Sequence, residues 1–321
     1  MNRLRALLDP FMIALVATAL LASLLPPRGA FAPFVGAVAN IAIFALFFLH
    51  GAKLSREAVI AGAANLRLHA AVFAATFLVF PLLGLAISSL PFLIGPVATG
   101  LLFLTLLPST VQSSIAFTAI ARGNVAAAVC SASFSNLIGI VVTPLLVALL
   151  IGAGGQGAIS WHSVEAILVQ LLLPFVAGHL IRPWIGAWVA RHRPLTTLVD
   201  RGAILLVVYS AFGAAVREGL WHQLSPASLG LIALCCIILL AAILLLTGLA
   251  GRLLHFSRED RIVLLFCGSK KSLASGVPMA GVLFAPSQVG MVILPLMLFH
   301  QLQLLACAVI ARHYAAQSTD E

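Results

Sequence analysis

The chain is a succession of apolar runs, each about as long as a bilayer crossing needs, and the connections between them hold nearly all of its charge. A helix crossing a ~30 Å hydrocarbon core takes about 20 apolar residues. Ten spans are predicted, near residues 10–25, 31–50, 66–88, 92–119, 124–150, 161–182, 196–216, 226–250, 262–285 and 287–311. In lipid only α-helices and closed barrels satisfy every backbone N–H and C=O. The runs lack the period-2 alternation of barrel strands, so the expected fold class is an all-α membrane protein. Composition agrees: of 321 residues 62% are hydrophobic and 8% charged, too little charge to cover a soluble domain.

The net charge of +9 could point to nucleic acid, but the charges sit singly or in small groups between apolar runs. Loops of a membrane protein look like this, so the partners expected are the lipid bilayer and a small-molecule solute, not nucleic acid. With both termini cytoplasmic, every Lys and Arg is inside except Arg28 and Arg217, which fall outside, and Lys270 and Lys271, which fall within a span. That bias fits a multi-pass cell-membrane protein, and a bacterial inner membrane is the expected place. Arg3 and Arg5 before Phe11–Leu25, with Ala30-Phe31-Ala32 beyond, resemble a cleavable signal peptide. The topology uses this run, so a retained first helix is expected. The five cysteines lie in apolar segments at no metal or disulfide spacing and read as packing residues.

The glycine-rich stretch 152–157 leaves five spans on either side. Because five is odd, the second half starts on the opposite side of the membrane, as two inverted repeats (1–155 and 156–321) require. The fourth span contains Pro108-Ser109-Thr110-Val111-Gln112-Ser113-Ser114, and the ninth contains Gly268-Ser269-Lys270-Lys271-Ser272 followed by Ser275-Gly276-Val277-Pro278. These polar, helix-breaking interiors hold equivalent places in the two halves, and two broken helices are expected there.

Lys270 is about 12 Å along a helix from Ile262, near mid-membrane, where a lysine costs several kcal/mol. One alternative is structural: one ammonium caps carbonyls of the break and the other reaches water. The functional reading has Lys270 or Lys271 facing a polar cavity, attracting an anionic solute, exchanging a proton or standing in for a coupling cation. Ser109, Thr110, Gln112, Ser113 and Ser114 supply hydroxyls and an amide that could serve a solute or Na⁺, or simply bond back to their own helix. Ser131, Ser135 and Asn136 in the fifth span lie beside them; close packing is an equal reading for the serines. Gln303 in the tenth span needs an interhelical partner, and the breaks are a candidate. His50, His69 and His179 read as interfacial. Glu57, Glu165, Glu218, Glu259 and Asp260 lie in connections or at span edges, so no carboxylate relay is expected in the membrane. No hydrolase or metalloprotease motif occurs, so the chain does not read as an enzyme, and no cofactor beyond a possible Na⁺ is expected.

Several segments carry a family resemblance: Ala121-Arg122-Gly123-Asn124 to Thr143-Pro144-Leu145-Leu146, Phe266 to Leu273, Gly276 to Met279, His50 to Leu54, and Leu68-His69. Together the chain resembles the bile acid:sodium symporter superfamily. The nearest branch comprises bacterial sodium-dependent transporters related to the seventh vertebrate bile-acid carrier. The resemblance implies ten helices, with a panel from spans 1, 2, 6 and 7 and a core from spans 3–5 and 8–10. It also implies crossing broken helices and Na⁺ near Thr76, Ser113 and Ser114, with the Gly268-to-Ser272 region and Gln303 nearby. The sequence departs from that pattern where the family has a glutamate and a glutamine on the ninth helix. Lysines replace the glutamine and its neighbour, and Ala128 and Ala132 stand where Ser and Thr are usual. The expected function is a secondary transporter that moves an organic, anionic or amphipathic solute by alternating access, coupled to a cation that need not be Na⁺; the alternative is a non-transporting membrane regulator or scaffold.

Overall fold

The computed structural model describes residues 10–53, 65–91, 93, 95–152 and 161–317, and every regular element among them is a helix. In chain order they are α1 (Pro10–Leu24), α2 (Phe31–Lys53), α3 (Leu66–Ser88), α4 (Gly95–Leu106), α5 (Val111–Ile120), α6 (Val125–Leu150) and α7 (Trp161–Arg191). There follow α8 (Arg193–Arg217), the single turn α9 (Leu220–Gln223), α10 (Pro226–Leu253), α11 (Arg258–Gly268), α12 (Leu273–Leu283) and α13 (Pro286–Gln317). Seven helices are long and apolar enough to cross a membrane; α4 and α5, bent by 59° at their junction, make an eighth if taken as one span. The chain is therefore a multi-pass membrane protein. Of the glycine-rich stretch 152–157 proposed as the midpoint, residues 153–157 lie outside the described residues.

Two compact units are present. The first takes residues up to 54, 159–229 and 277–294, and so holds α1, α2, α7, α8 and α9. Here α2 lies along α7 and α8, and α8 also packs on α1, burying Leu15 and Ala22. The α2–α7 contact is backbone against backbone. A Cβ at Gly51 would overlap the Phe175 carbonyl oxygen, and one at Gly178 would overlap that of Phe48. Small residues of this kind let helices approach in lipid, where no hydrophobic effect drives them together.

The second unit takes residues 55–158, 230–276 and 295–321. Its centre is α11, in which every residue from Ile262 to Gly268 is buried. One face packs Val263, Leu264 and Cys267 against Leu68, Val72 and Ala75 of α3 and Ala128 and Ala132 of α6. The other face packs Ile262, Leu265 and Phe266 against Ala121 and against Cys307 and Ala311 of α13. Ala128 and Ala132 stand where the family pattern expects hydroxyls, and here they fill space against an apolar helix face.

One carboxylate ties three helix starts together. Asp260 accepts from the amides of Asn65 and Asn124, each at 3.0 Å. These asparagines cap α3 and α6 by accepting the N–H groups of Leu68 and Ala127. Ser257 caps α11 by accepting the N–H of Asp260 itself. Removing one cap costs about 1 kcal/mol, and a hydrogen bond to a charged group contributes about 1.5–3 kcal/mol. Asp260→Ala is therefore expected to lower stability by about 3 kcal/mol. A melting temperature in detergent within a degree of wild type would contradict this.

Candidate functional site

Helix α4 stops because Pro108 has no N–H to continue the ladder, and residues 107–110 leave the helix before α5 begins. Helix α11 stops at Gly268, and residues 269–272 separate it from α12. A helix end inside a membrane must place its carbonyls on other donors. Here each break largely satisfies the other. The hydroxyls of Ser109 and Ser114 donate to the carbonyls of Cys267 (2.6 Å) and Phe266 (3.1 Å) at the end of α11. Ser269 donates to Leu265 O, and Thr110 donates to Lys271 O at 2.8 Å. In return the Ser272 N–H donates to Pro108 O at 2.9 Å.

Helix α6 supports both breaks. Ser135 accepts the Ser109 N–H at 2.9 Å, and the Asn136 amide donates to Ser109 O at 2.7 Å. The Asn136 side-chain oxygen accepts from Ser275 at 2.7 Å. Thr143 donates to Leu106 O at 2.8 Å. Ser272 caps α12 by accepting the Ser275 N–H. The Gln303 amide on α13 grips the Lys271 backbone from both sides, accepting its N–H and donating to its carbonyl, each at 2.9 Å. Its nitrogen also meets His300 Nδ1 at 2.7 Å.

Both lysines are fully buried, and their surroundings differ. Lys271 Nζ donates to three backbone carbonyls: Thr76 (2.8 Å), Thr105 (2.7 Å) and Leu107 (2.7 Å). It also lies 4.2 Å from the Phe80 ring centre. The Thr76 carbonyl is free for a local reason. Residues 75–79 form a π-turn in which Phe80 N–H bonds Ala75 O, and Pro81 has no N–H to offer Thr76. Lys270 Nζ has no hydrogen-bond partner among the described residues and lies over the rings of Phe117 (4.2 Å) and Phe266 (5.2 Å). Ser113 Oγ is likewise buried without a partner.

The sequence candidates are thus sorted. Ser109, Thr110, Ser114, Ser135, Asn136, Ser269, Lys270, Lys271, Ser272 and Gln303 gather at the two breaks. Gln112 is exposed, and Ser131 bonds His69 Nδ1 at 2.7 Å on the α3 side. Of the residues suggested for Na⁺, Thr76 donates its hydroxyl to Val72 O, Ser114 donates to Phe266 O, and the Thr76 carbonyl accepts from Lys271, while the Ser113 hydroxyl has no partner among the described residues. Among the described residues no group of three His, Cys, Asp or Glu could hold a metal ion. Sequence reasoning passed over the Thr105 and Leu107 carbonyls, Ser275, Thr143 and the phenylalanines around Lys270. It also passed over Asp200 on α8, which pairs with Lys53 in the first unit. Two signals were available: a proline at 81 that removes a donor, and a serine three residues after Ser272, the spacing of a cap.

Known proteins share this chain almost end to end. The family model of the SBF-like CPA transporter family matches residues 9–316. "Uncharacterized protein PA2026" of Pseudomonas aeruginosa is 57% identical, covering 100% of this chain and 97% of its own. "Putative symporter YfeH" of Escherichia coli is 51% identical, covering 98% and 96%. "Sodium/bile acid cotransporter 7" of Rattus norvegicus is 28% identical over 85% of this chain and 82% of its own. These likenesses are to transporters and not to an enzyme: the chain belongs to the SBF-like CPA transporter family.

Proposed function

We propose that this transporter moves an organic anion, or an amphipathic solute with an anionic group, by alternating access at the two broken helices. The observation that carries the reading is Lys270. Its amine is buried, has no hydrogen-bond partner, and has no carboxylate against it among the described residues. A cationic group held without an acceptor is costly, and an anionic solute would supply what is missing. Ser113, also buried and unpartnered, would be the second polar contact.

The same reading takes the chain as ten spans in two inverted repeats, with α4–α5 and α11–α12 as the broken members. The matching positions of the two breaks support it. A division into panel and core is supported by the two compact units, with residues 277–294 falling in the unit of α1, α2, α7 and α8. The arginine distribution supports cytoplasmic termini and a bacterial inner membrane. The solute class is tested by uptake of labelled organic anions and cations into proteoliposomes under Na⁺, proton and no imposed gradients. Accumulation of an anion is expected. Uptake of cations alone, or of no solute, would overturn the reading.

A further inference from the structure

The surroundings of Lys271 are those of a bound ion. Three carbonyl oxygens within 2.8 Å come from two separate segments, the π-turn of α3 and the broken end of α4. Three acceptors call for three N–H donors, and only a protonated amine has three. The carbonyls are available for two reasons: Pro81 removes the intrahelical donor for Thr76 O, and α4 ends before Pro108, so that the Ser109 N–H that would have met Thr105 O donates to Ser135 instead. Carbonyl dipoles converging at helix ends are how membrane proteins hold a dehydrated monovalent cation. The Phe80 ring adds its negative face. The Lys271 backbone is fixed on both sides by Gln303, so the amine is delivered into the cage at a set position.

We propose that the Lys271 ammonium is a tethered occupant of a monovalent-cation site, so that this chain takes no dissociable Na⁺ there. Removing the amine opens a vacant carbonyl cage that accepts a small free cation. The inference rests on the transporter reading only for its functional consequence, that solute movement does not draw on a Na⁺ gradient through this position. The binding claim stands apart from transport.

The test uses purified full-length protein in detergent. Melting temperature is followed against NaCl, LiCl, KCl and methylammonium chloride, with choline chloride keeping ionic strength constant, beside direct binding of radiolabelled Na⁺. Wild type should respond to none of these cations more than to choline and should bind no Na⁺ saturably. Lys271→Ala should melt several degrees lower, and Na⁺ or methylammonium should restore part of the loss along a saturable curve. Lys271→Met, whose stem refills the space without a charge, should show no such restoration. Saturable Na⁺ binding to wild type that persists in Lys271→Met, with Lys271→Ala showing no response of its own, would overturn the proposal. So would a folded Lys271→Ala that gains nothing from any cation. If Lys271→Ala yields no folded protein, the wild-type Na⁺ titration decides alone: saturable binding overturns the tethered occupant and its absence supports it. Failure to find a transported solute would count against the proposed function and leave these titrations standing.

Discussion

Lys270→Met is expected to give a protein at least as stable as wild type that has lost nearly all transport. The two effects share a cause. The Lys270 amine is buried with no acceptor, and an unsatisfied polar group costs about 1–3 kcal/mol, more when charged. The rings of Phe117 and Phe266 return part of that, on the order of 1–2 kcal/mol for a desolvated cation over an aromatic face. Methionine keeps the length of the stem and the ring contacts and removes the cost. If the amine meets the anionic group of the solute, truncating that partner of a buried charge pair costs about 2–5 kcal/mol. At about 1.4 kcal/mol per factor of ten, this is roughly a thirtyfold to several-thousandfold fall in uptake. Parallel melting curves and uptake rates separate the outcomes. A residue that only holds the fold would lose stability together with transport, whereas unchanged uptake would remove Lys270 from solute recognition.

Gly51→Ala and Gly178→Ala are each expected to abolish folded protein. At both positions the new methyl would sit inside the van der Waals envelope of a backbone carbonyl on the neighbouring helix, and backbone has no rotamer to yield. For Gly51 the methyl would also lie 2.9 Å from His179 N, and for Gly178 2.8 Å from the Phe48 carbonyl carbon. Relief requires α2 and α7 to separate along their length, undoing the main helix contact of the first unit. Gly202→Ala in α8 and Gly248→Ala in α10 are the controls, since a Cβ there meets nothing within 4 Å. These should be tolerated or gain up to about 1 kcal/mol from helix propensity. Size-exclusion profiles of fluorescent fusions would read the contrast. Monodisperse Gly178→Ala at wild-type yield would show that the two helices do not depend on this approach.

Seven membrane-length apolar helices and the α4–α5 break were legible in the sequence because they follow from local chemistry: run length, and a proline beside a polar cluster. Proline alone was not enough. Pro144, Pro174, Pro183, Pro278 and Pro295 all sit inside continuous helices. The polar residues of the breaks were legible as a group, but what they bond was not. Ser109 and Ser114 find their acceptors more than 150 residues away, and no local pattern specifies that pairing. Thr76 was picked for its hydroxyl through family likeness, whereas the structure uses its carbonyl and hands the hydroxyl back to Val72. Asp260 looked like a loop acid because the two asparagines it joins are far off in the chain.

The Lys271 cage has a consequence for how the protein is made. Its amine is separated by 195 residues from Thr76 and by 166 from Thr105, and the carbonyls are synthesised first. At about 5–20 residues per second, the cage waits roughly 10–40 s for the side chain that fills it. During that interval the three oxygens, left without helical donors, must be hydrated or borrow temporary donors. The first half of the chain therefore cannot complete its own hydrogen bonding until the second half is made.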